Sequence, residues 1–223
     1  MKKTAFHFAF FSILVWGAAF SDTLALEARD KQLITDLLLA LKVSYAKVND
    51  YSATMRLESF EDEYRLQNQK MWFKKPGYLR LEQLGPFKKG AVLVILPDGS
   101  IKGHLGGLLS FVVVSIDADD ENMYGVTQDS ALNSDYDRII DIALGLRDRV
   151  ISYSINTEFI NNKTRLVLDT TYNGRITRMR LLIDPGTLFI VGLERYSKGK
   201  LIHKISWFDI QTNKGIRASR FAL

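Results

Sequence analysis

The chain of 223 residues contains no cysteine. Disulfides, thiolate metal sites, a cysteine nucleophile and lipid attachment at a lipobox cysteine are therefore excluded. Histidine is scarce as well, with three copies. His7 falls in the N-terminal segment, His104 lies among glycines in an expected turn, and His203 lies in an expected strand. None belongs to a His-x-x-x-His spacing, so His104 and His203 read as structural. Neither a Gly-x-Ser-x-Gly elbow nor a phosphate-cradling glycine loop is present. No catalytic residue, metal ligand or cofactor site is assigned, and the chain reads as a non-enzyme. The run Asp117-Ala118-Asp119-Asp120-Glu121 offers oxygens but lacks the glycine and ordered spacing of a Ca²⁺ loop, so it reads as a solvated acidic loop.

Charge is also poorly informative. Thirty Lys and Arg stand against 25 Asp and Glu. Without Lys2 and Lys3 the net charge falls by two from +5, to +3. That small excess is spread along the chain rather than clustered, which argues against nucleic acid as a partner. It suits proximity to anionic lipid headgroups. Lys88-Lys89 beside Gly90 reads as a charged turn.

Long apolar runs are limited to the N-terminus. Lys2 and Lys3 precede the apolar run Ala5–Val15, and Ala19-Phe20-Ser21 offers small residues before a cut ahead of Asp22. This is the three-part pattern of a secretory signal peptide. The run is shorter than the ~20 residues a membrane-spanning helix needs. Residues 1–21 are expected to be a cleaved leader, with an uncleaved anchor as the alternative. Residues 22–223 are expected to form a single exported, periplasmic domain, long enough for one core.

After the leader the periodicity switches twice. Leu33, Ile34, Leu37, Leu38, Leu41, Tyr45 and Val48 recur at spacings of three and four, which predicts an amphipathic helix ended by Asn49-Asp50. From Tyr51 the period is two: Tyr51, Ala53, Met55 and Leu57 alternate with polar neighbours, the mark of a half-buried strand. Further strands are expected at 64–74, 78–84, 91–96 and 101–116, broken at Pro76, Gly85-Pro86, Pro97-Asp98-Gly99 and Gly106-Gly107. A second helix is predicted from Tyr136, Ile139, Ile140, Ala143, Leu144 and Leu146, capped by Asp129 or Ser134. Strands return at 165–172 and 175–183, joined by an Asn173-Gly174 turn, and then at 188–196 and 201–210. Several of these are apolar on both faces, as in Leu181-Leu182-Ile183. Such strands fit a strongly curved sheet around an apolar interior. The expected class is α+β, mainly antiparallel β, with helices against one face of a single sheet.

Two sets of residues carry a resemblance. One is Trp72-Phe73-Lys74-Lys75-Pro76-Gly77-Tyr78-Leu79-Arg80-Leu81. The other runs from Leu182-Ile183-Asp184-Pro185-Gly186-Thr187 through Leu193-Glu194-Arg195-Tyr196 to Trp207-Phe208-Asp209-Ile210-Gln211-Thr212-Asn213. In order, they resemble the strand–basic–Pro–strand segment and the C-terminal repeat of the periplasmic outer-membrane lipoprotein carrier (LolA/LolB-like) superfamily. The ending Asn213-Lys214-Gly215-Ile216 resembles a branch of it outside the carrier itself. The resemblance implies an unclosed antiparallel half-barrel whose helices form a lid over a hydrophobic concavity that holds acyl chains. It also implies ligand-binding positions at Phe73, Leu79 and Leu81, the last two smaller than the family's aromatics. A lid latch is implied at Lys75, where the family has Arg; Lys lacks the planar fork of that residue. The implied partners are a lipid or acylated lipoprotein and a handover protein at the inner or outer membrane. A sensor of the same fold that signals to a membrane partner is the alternative. The sequence leaves the oligomeric state open.

Overall fold

In the computed structural model, residues 28–172 and 174–223 are described. The expected leader and Asn173 lie outside them. Helix α1 (Ala28–Ala46) precedes six strands: β1 (Asp50–Ser59), β2 (Arg65–Lys74), β3 (Tyr78–Pro86), β4 (Val92–Ile95), β5 (Ile101–His104) and β6 (Val114–Ser115). Helix α2 (Tyr136–Leu146) then precedes β7 (Val150–Ile160), β8 (Lys163–Tyr172), β9 (Arg178–Asp184), β10 (Phe189–Ser197) and β11 (Lys200–Thr212). All eleven strands form one antiparallel sheet in the order β6-β5-β4-β3-β2-β1-β11-β10-β9-β8-β7. It is two meanders, each introduced by a helix, sewn together where β1 pairs with β11. The end strands β6 and β7 do not meet, so the sheet is an open half-barrel.

The alternation in β1 sets the concave face. Tyr51, Ala53, Met55 and Leu57 are buried, while Arg56 on the opposite face is exposed. In β2 the inward positions are Gln67, Gln69, Met71 and Phe73. Helix α1 buries Ile34, Leu38, Leu41 and Tyr45. Leu33 of the predicted stripe is exposed, and Val48 is buried beyond the helix end.

Six aromatic rings fill one end of the half-barrel. Tyr51 of β1 stacks on Phe73 of β2 with centroids 5.2 Å apart. Tyr136 of α2 lies 5.0 Å from Tyr51, 5.6 Å from Tyr45 of α1 and 4.8 Å from Phe189 of β10. Trp207 of β11 closes the group at 5.9 Å from Tyr136. Edge-to-face and offset pairs of this kind add to the burial energy of large rings. Both helices are thus seated on the sheet at the same end. The Lys42–Asp141 ion pair joins them at the surface, where such pairs contribute little.

A smaller apolar cluster lies on the convex face. Trp72, Val94 and Phe221 pack with Tyr78, Val92, Leu96 and Ile216. The C-terminal segment is held there by Arg80, which donates to the carbonyls of Arg220 and Ala222, and by Lys74, which donates to that of Ile216. Asn213 accepts from the Asn49 amide at 2.7 Å, and buried Asp50 accepts from the amides of Lys214 and Gly215. These bonds tie the end of β11 to the junction of α1 and β1.

Four expectations change. Strand β7 is absent from the sequence reading, although Ile151, Tyr153 and Ile155 alternate there with Ser152, Ser154 and Asn156. The predicted run 101–116 is two short strands around a 3-10 turn at Gly107–Leu109. Asp135 caps α2, accepting from the Arg138 amide at 3.1 Å, in place of Asp129 or Ser134. The β8–β9 connection extends to Thr177, because Arg175 leaves the sheet to pair with Glu61.

Phe189 is 6% exposed and packs against the rings of Tyr45, Tyr51 and Tyr136. Phe189→Ala is expected to lower the unfolding free energy by about 3–5 kcal/mol, measured by urea denaturation.

Candidate ligand-binding site in the half-barrel

At the end of the concave face opposite the aromatic cluster, the interior is not filled. A cavity of about 70 Å³ lies between β1–β3, β9–β11, the segment 117–135 and α2. Leu57, Leu81, Leu93, Met123, Ala143 and Leu193 supply apolar wall. A second cavity of about 140 Å³ lies beside it under β3–β6, bordered by Leu105, Val114 and Ile116. The two share Gln83, Lys88, Leu93 and Asn122, so they adjoin.

Three glutamines form the polar part of the wall. Gln67 Nε2 donates to Gln69 Oε1 at 2.9 Å and lies 3.0 Å from Gln83 Oε1, while Gln83 Nε2 donates to Gln69 Oε1 at 2.9 Å. The remaining Gln67 oxygen accepts from the Val126 amide at 3.0 Å. A closed network of this kind meets the requirement that buried amides be hydrogen-bonded. It also tethers the covering segment to β2. Gly125 permits that approach, since a Cβ there would meet Gln67 Oε1 at 2.8 Å.

Charged groups hold the same segment at the rim. Arg195 of β10 pairs with both carboxylate oxygens of Asp129, at 2.8 and 2.7 Å. Thr127 Oγ1 donates to Asp129 Oδ2 at 2.8 Å. Glu61 accepts from Arg175 at 2.6 Å and lies 3.4 Å from His203 Nε2. Burial acts to raise the Glu61 pKa, but Arg175 and His203 outweigh it and hold the carboxyl below its ordinary value. Burial pulls the His203 pKa down and Arg195 adds to this, against the opposing carboxylates Glu61 and Asp129. His203 is therefore a buried strand residue whose charged form is disfavoured by its surroundings. Among the described residues, no group of three His, Asp or Glu is placed to hold a metal ion.

The residues expected to bind ligand divide between the two ends. Leu81 lines the first cavity. Phe73 and Leu79 lie on the same concave face but at its filled end, Phe73 within the aromatic cluster and Leu79 beside it in register. Lys75 donates to the Ala46 carbonyl at 2.7 Å, with its Nζ 5.4 Å from the Tyr45 ring centroid. It thus binds the C-terminal end of α1, where a cation is favoured. Helix α1 supplies no residue to the wall of either cavity; the covering elements are 117–135 and α2. The glutamine trio escapes the sequence reading. The signal is present, because Gln67 and Gln69 share the parity of Met71 and Phe73.

No protein-family model matches the chain, and no curated protein matches it in sequence. Solved structures do match in fold. MucB aligns with a TM-score of 0.53 at 13% identity, over 86% of this chain and 63% of that one. It also aligns as crystallised in complex with MucA(peri), with a TM-score of 0.50 at 15% identity over 85% of this chain and 59% of that one. An uncharacterized conserved protein from Thermus thermophilus aligns at 0.51 and 12% identity, over 85% and 91%. The Mycobacterium tuberculosis lipoprotein LppX aligns at 0.51 and 11% identity, over 86% and 99%. The chain shares the fold of these structures, here an open antiparallel half-barrel with two helices on its concave face.

A histidine whose folded pKa lies below its unfolded value takes up a proton first in the unfolded chain. Its contribution is full above the ordinary value of 6.5 and is lost as pH falls through that value toward the folded pKa. Urea midpoints are expected to hold between about pH 8 and 7 and to drop below about 6.5. In His203→Gln that part of the slope is expected to flatten.

Proposed function

We propose that the protein binds an acyl chain of a lipid or lipoprotein in the half-barrel and carries it through the periplasm. The observation that supports this best is the cavity pair on the concave face, roofed by α2 and by a segment whose Met123, Val126 and Ala131 join the core while hydrogen bonds and ion pairs hold its rim. Each methylene moved from water into such a wall contributes ~0.8 kcal/mol, so a short stretch of chain gives useful affinity. Nothing in the site calls for bond making or breaking, and the chemistry on offer is burial. Among the described residues no helix is long and apolar enough to cross a membrane.

Entry and exit require the roof to move. Lys75 acts as the latch at one remove: it fixes the end of α1, α1 packs on α2, and α2 helps to cover the cavity. Handover to a membrane or membrane protein is supported by the segment 105–114. Leu108 and Phe111 there are 91% and 80% exposed, and Leu105 and Val114 border the second cavity. Contiguous exposed apolar surface of this kind marks interaction sites.

A sensor that binds an envelope protein is a second reading. It is favoured by β7, an eleven-residue edge strand with one free side, which can accept an added strand.

The test is titration with a fluorescent fatty-acyl probe. Leu93 lines both cavities. Leu93→Trp is expected to fill them and weaken binding by about tenfold or more, while the melting temperature changes little because the added ring enters existing space. Lys75→Met is expected to speed probe release at least severalfold. Wild-type protein that takes up no probe, or unchanged affinity in a folded Leu93→Trp, contradicts the proposal.

A further inference from the structure

The turn between β3 and β4 carries two adjacent lysines that behave differently. Lys89 is exposed, as a charged turn predicts, but Lys88 is half-buried and turned into the groove. Lys88 sits at the junction of the two cavities and lines both, together with Gln83, Leu93 and Asn122. Its backbone adopts φ +48°, a left-handed conformation that is uncommon for a residue with a long side chain. Residues held in such conformations concentrate at functional sites.

The ammonium is poorly served where it lies. It can donate three hydrogen bonds. Within the protein it makes one long one, 3.3 Å to the Glu121 carbonyl, and it stands 5.2 Å from the Phe87 ring centroid. Among the described residues no carboxylate forms an ion pair with it. The carboxylates of Glu121 and Asp120 act at longer range to favour its charge, yet burial outweighs them and lowers its pKa. A counter-charge at the Lys88 Nζ would offset that loss of hydration. The Gln83 amide is already committed to Gln69. Asn122, exposed at the same junction, brings a further polar side chain to it.

We propose that Lys88 is a headgroup site: the groove takes a single-chain amphiphile whose acyl chain lies in the cavities and whose terminal oxyanion pairs with the Lys88 ammonium. This rests on the acyl-binding reading and names its ligand class. Carboxylate and phosphate share the required chemistry, and a lysine accepts either as a point charge. The neighbouring carboxylates Asp120 and Glu121 limit the charge that fits and favour a singly charged headgroup over a polyanion. Leu93 and Phe87 on one side, with Val92, Leu105 and Ile116 on the other, give the chain apolar wall in both directions from the ammonium.

The test is binding of tetradecanoate, tetradecyl phosphate and tetradecanol below their micellar concentrations, followed by displacement of the fluorescent probe. At least one of the two anions is expected to bind about tenfold or more tightly than the alcohol, as a charge-assisted hydrogen bond gives. Which anion binds better separates a fatty-acid source from a phosphate one. Lys88→Met is expected to remove the preference, so that the anions bind no more tightly than tetradecanol, and Lys88→Arg to keep it. Equal binding of alcohol and anions by the wild type, or a preference that survives in Lys88→Met, overturns the headgroup site and leaves acyl binding standing. Failure of all three ligands to bind overturns both.

Discussion

A sheet curved toward an apolar face must have that face covered, and here the covering is uneven. Six rings from α1, β1, β2, α2, β10 and β11 converge at one end and pack against one another at centroid distances from 4.8 Å upward. Tyr45 and Tyr136 anchor both helices there, and α2 extends only Ile139, Ile142 and Ala143 toward the other end. The position of the cavity follows from this. Leu57, Gln67 and Gln69 occupy the same face as Tyr51 and Phe73, further along their strands. They meet the connecting segment 117–135 and one flank of α2.

The connecting segment is attached by a different kind of force. Aromatic packing gives the filled end a core that resists opening, because separating it exposes large rings to water. The roof of the cavity combines the Gln67–Val126 hydrogen bond and the Arg195–Asp129 pair with Met123, Val126 and Ala131, which join the core. Polar attachments can be exchanged for water at modest net cost, typically ~1 kcal/mol for a hydrogen bond. The two ends are thus covered differently, one by aromatic packing and the other by a segment that mixes core side chains with polar ties.

Much of this is legible in the residues. Period-two alternation in β1 and period-three-and-four spacing in α1 and α2 give element type and the inward face. The Pro and Gly breaks place most turns. The family resemblance implies Leu81, on the inward parity beyond Pro76, and Leu81 lines the cavity. Phe73 and Leu79 share that parity, but parity identifies a face and says nothing of position along it, so it does not separate the filled end from the open one. Strand β7 is absent from that reading even though its apolar Ile151, Tyr153 and Ile155 alternate with polar neighbours, the same period-two signal that β1 carries. Lys88 reads as part of a surface turn because its inward course depends on a backbone conformation that composition does not encode. The glutamine trio needs the β2–β3 register, which brings Gln69 opposite Gln83.

The central claim is that the open end of the half-barrel holds an acyl chain in the cell. Native mass spectrometry of the protein purified from a periplasmic fraction, followed by organic extraction, tests it most directly. The account predicts a discrete bound mass that extraction identifies as an acylated molecule, and its loss in Leu93→Trp. A clean unliganded mass that stays unshifted after incubation with lipids and acylated peptides would contradict it.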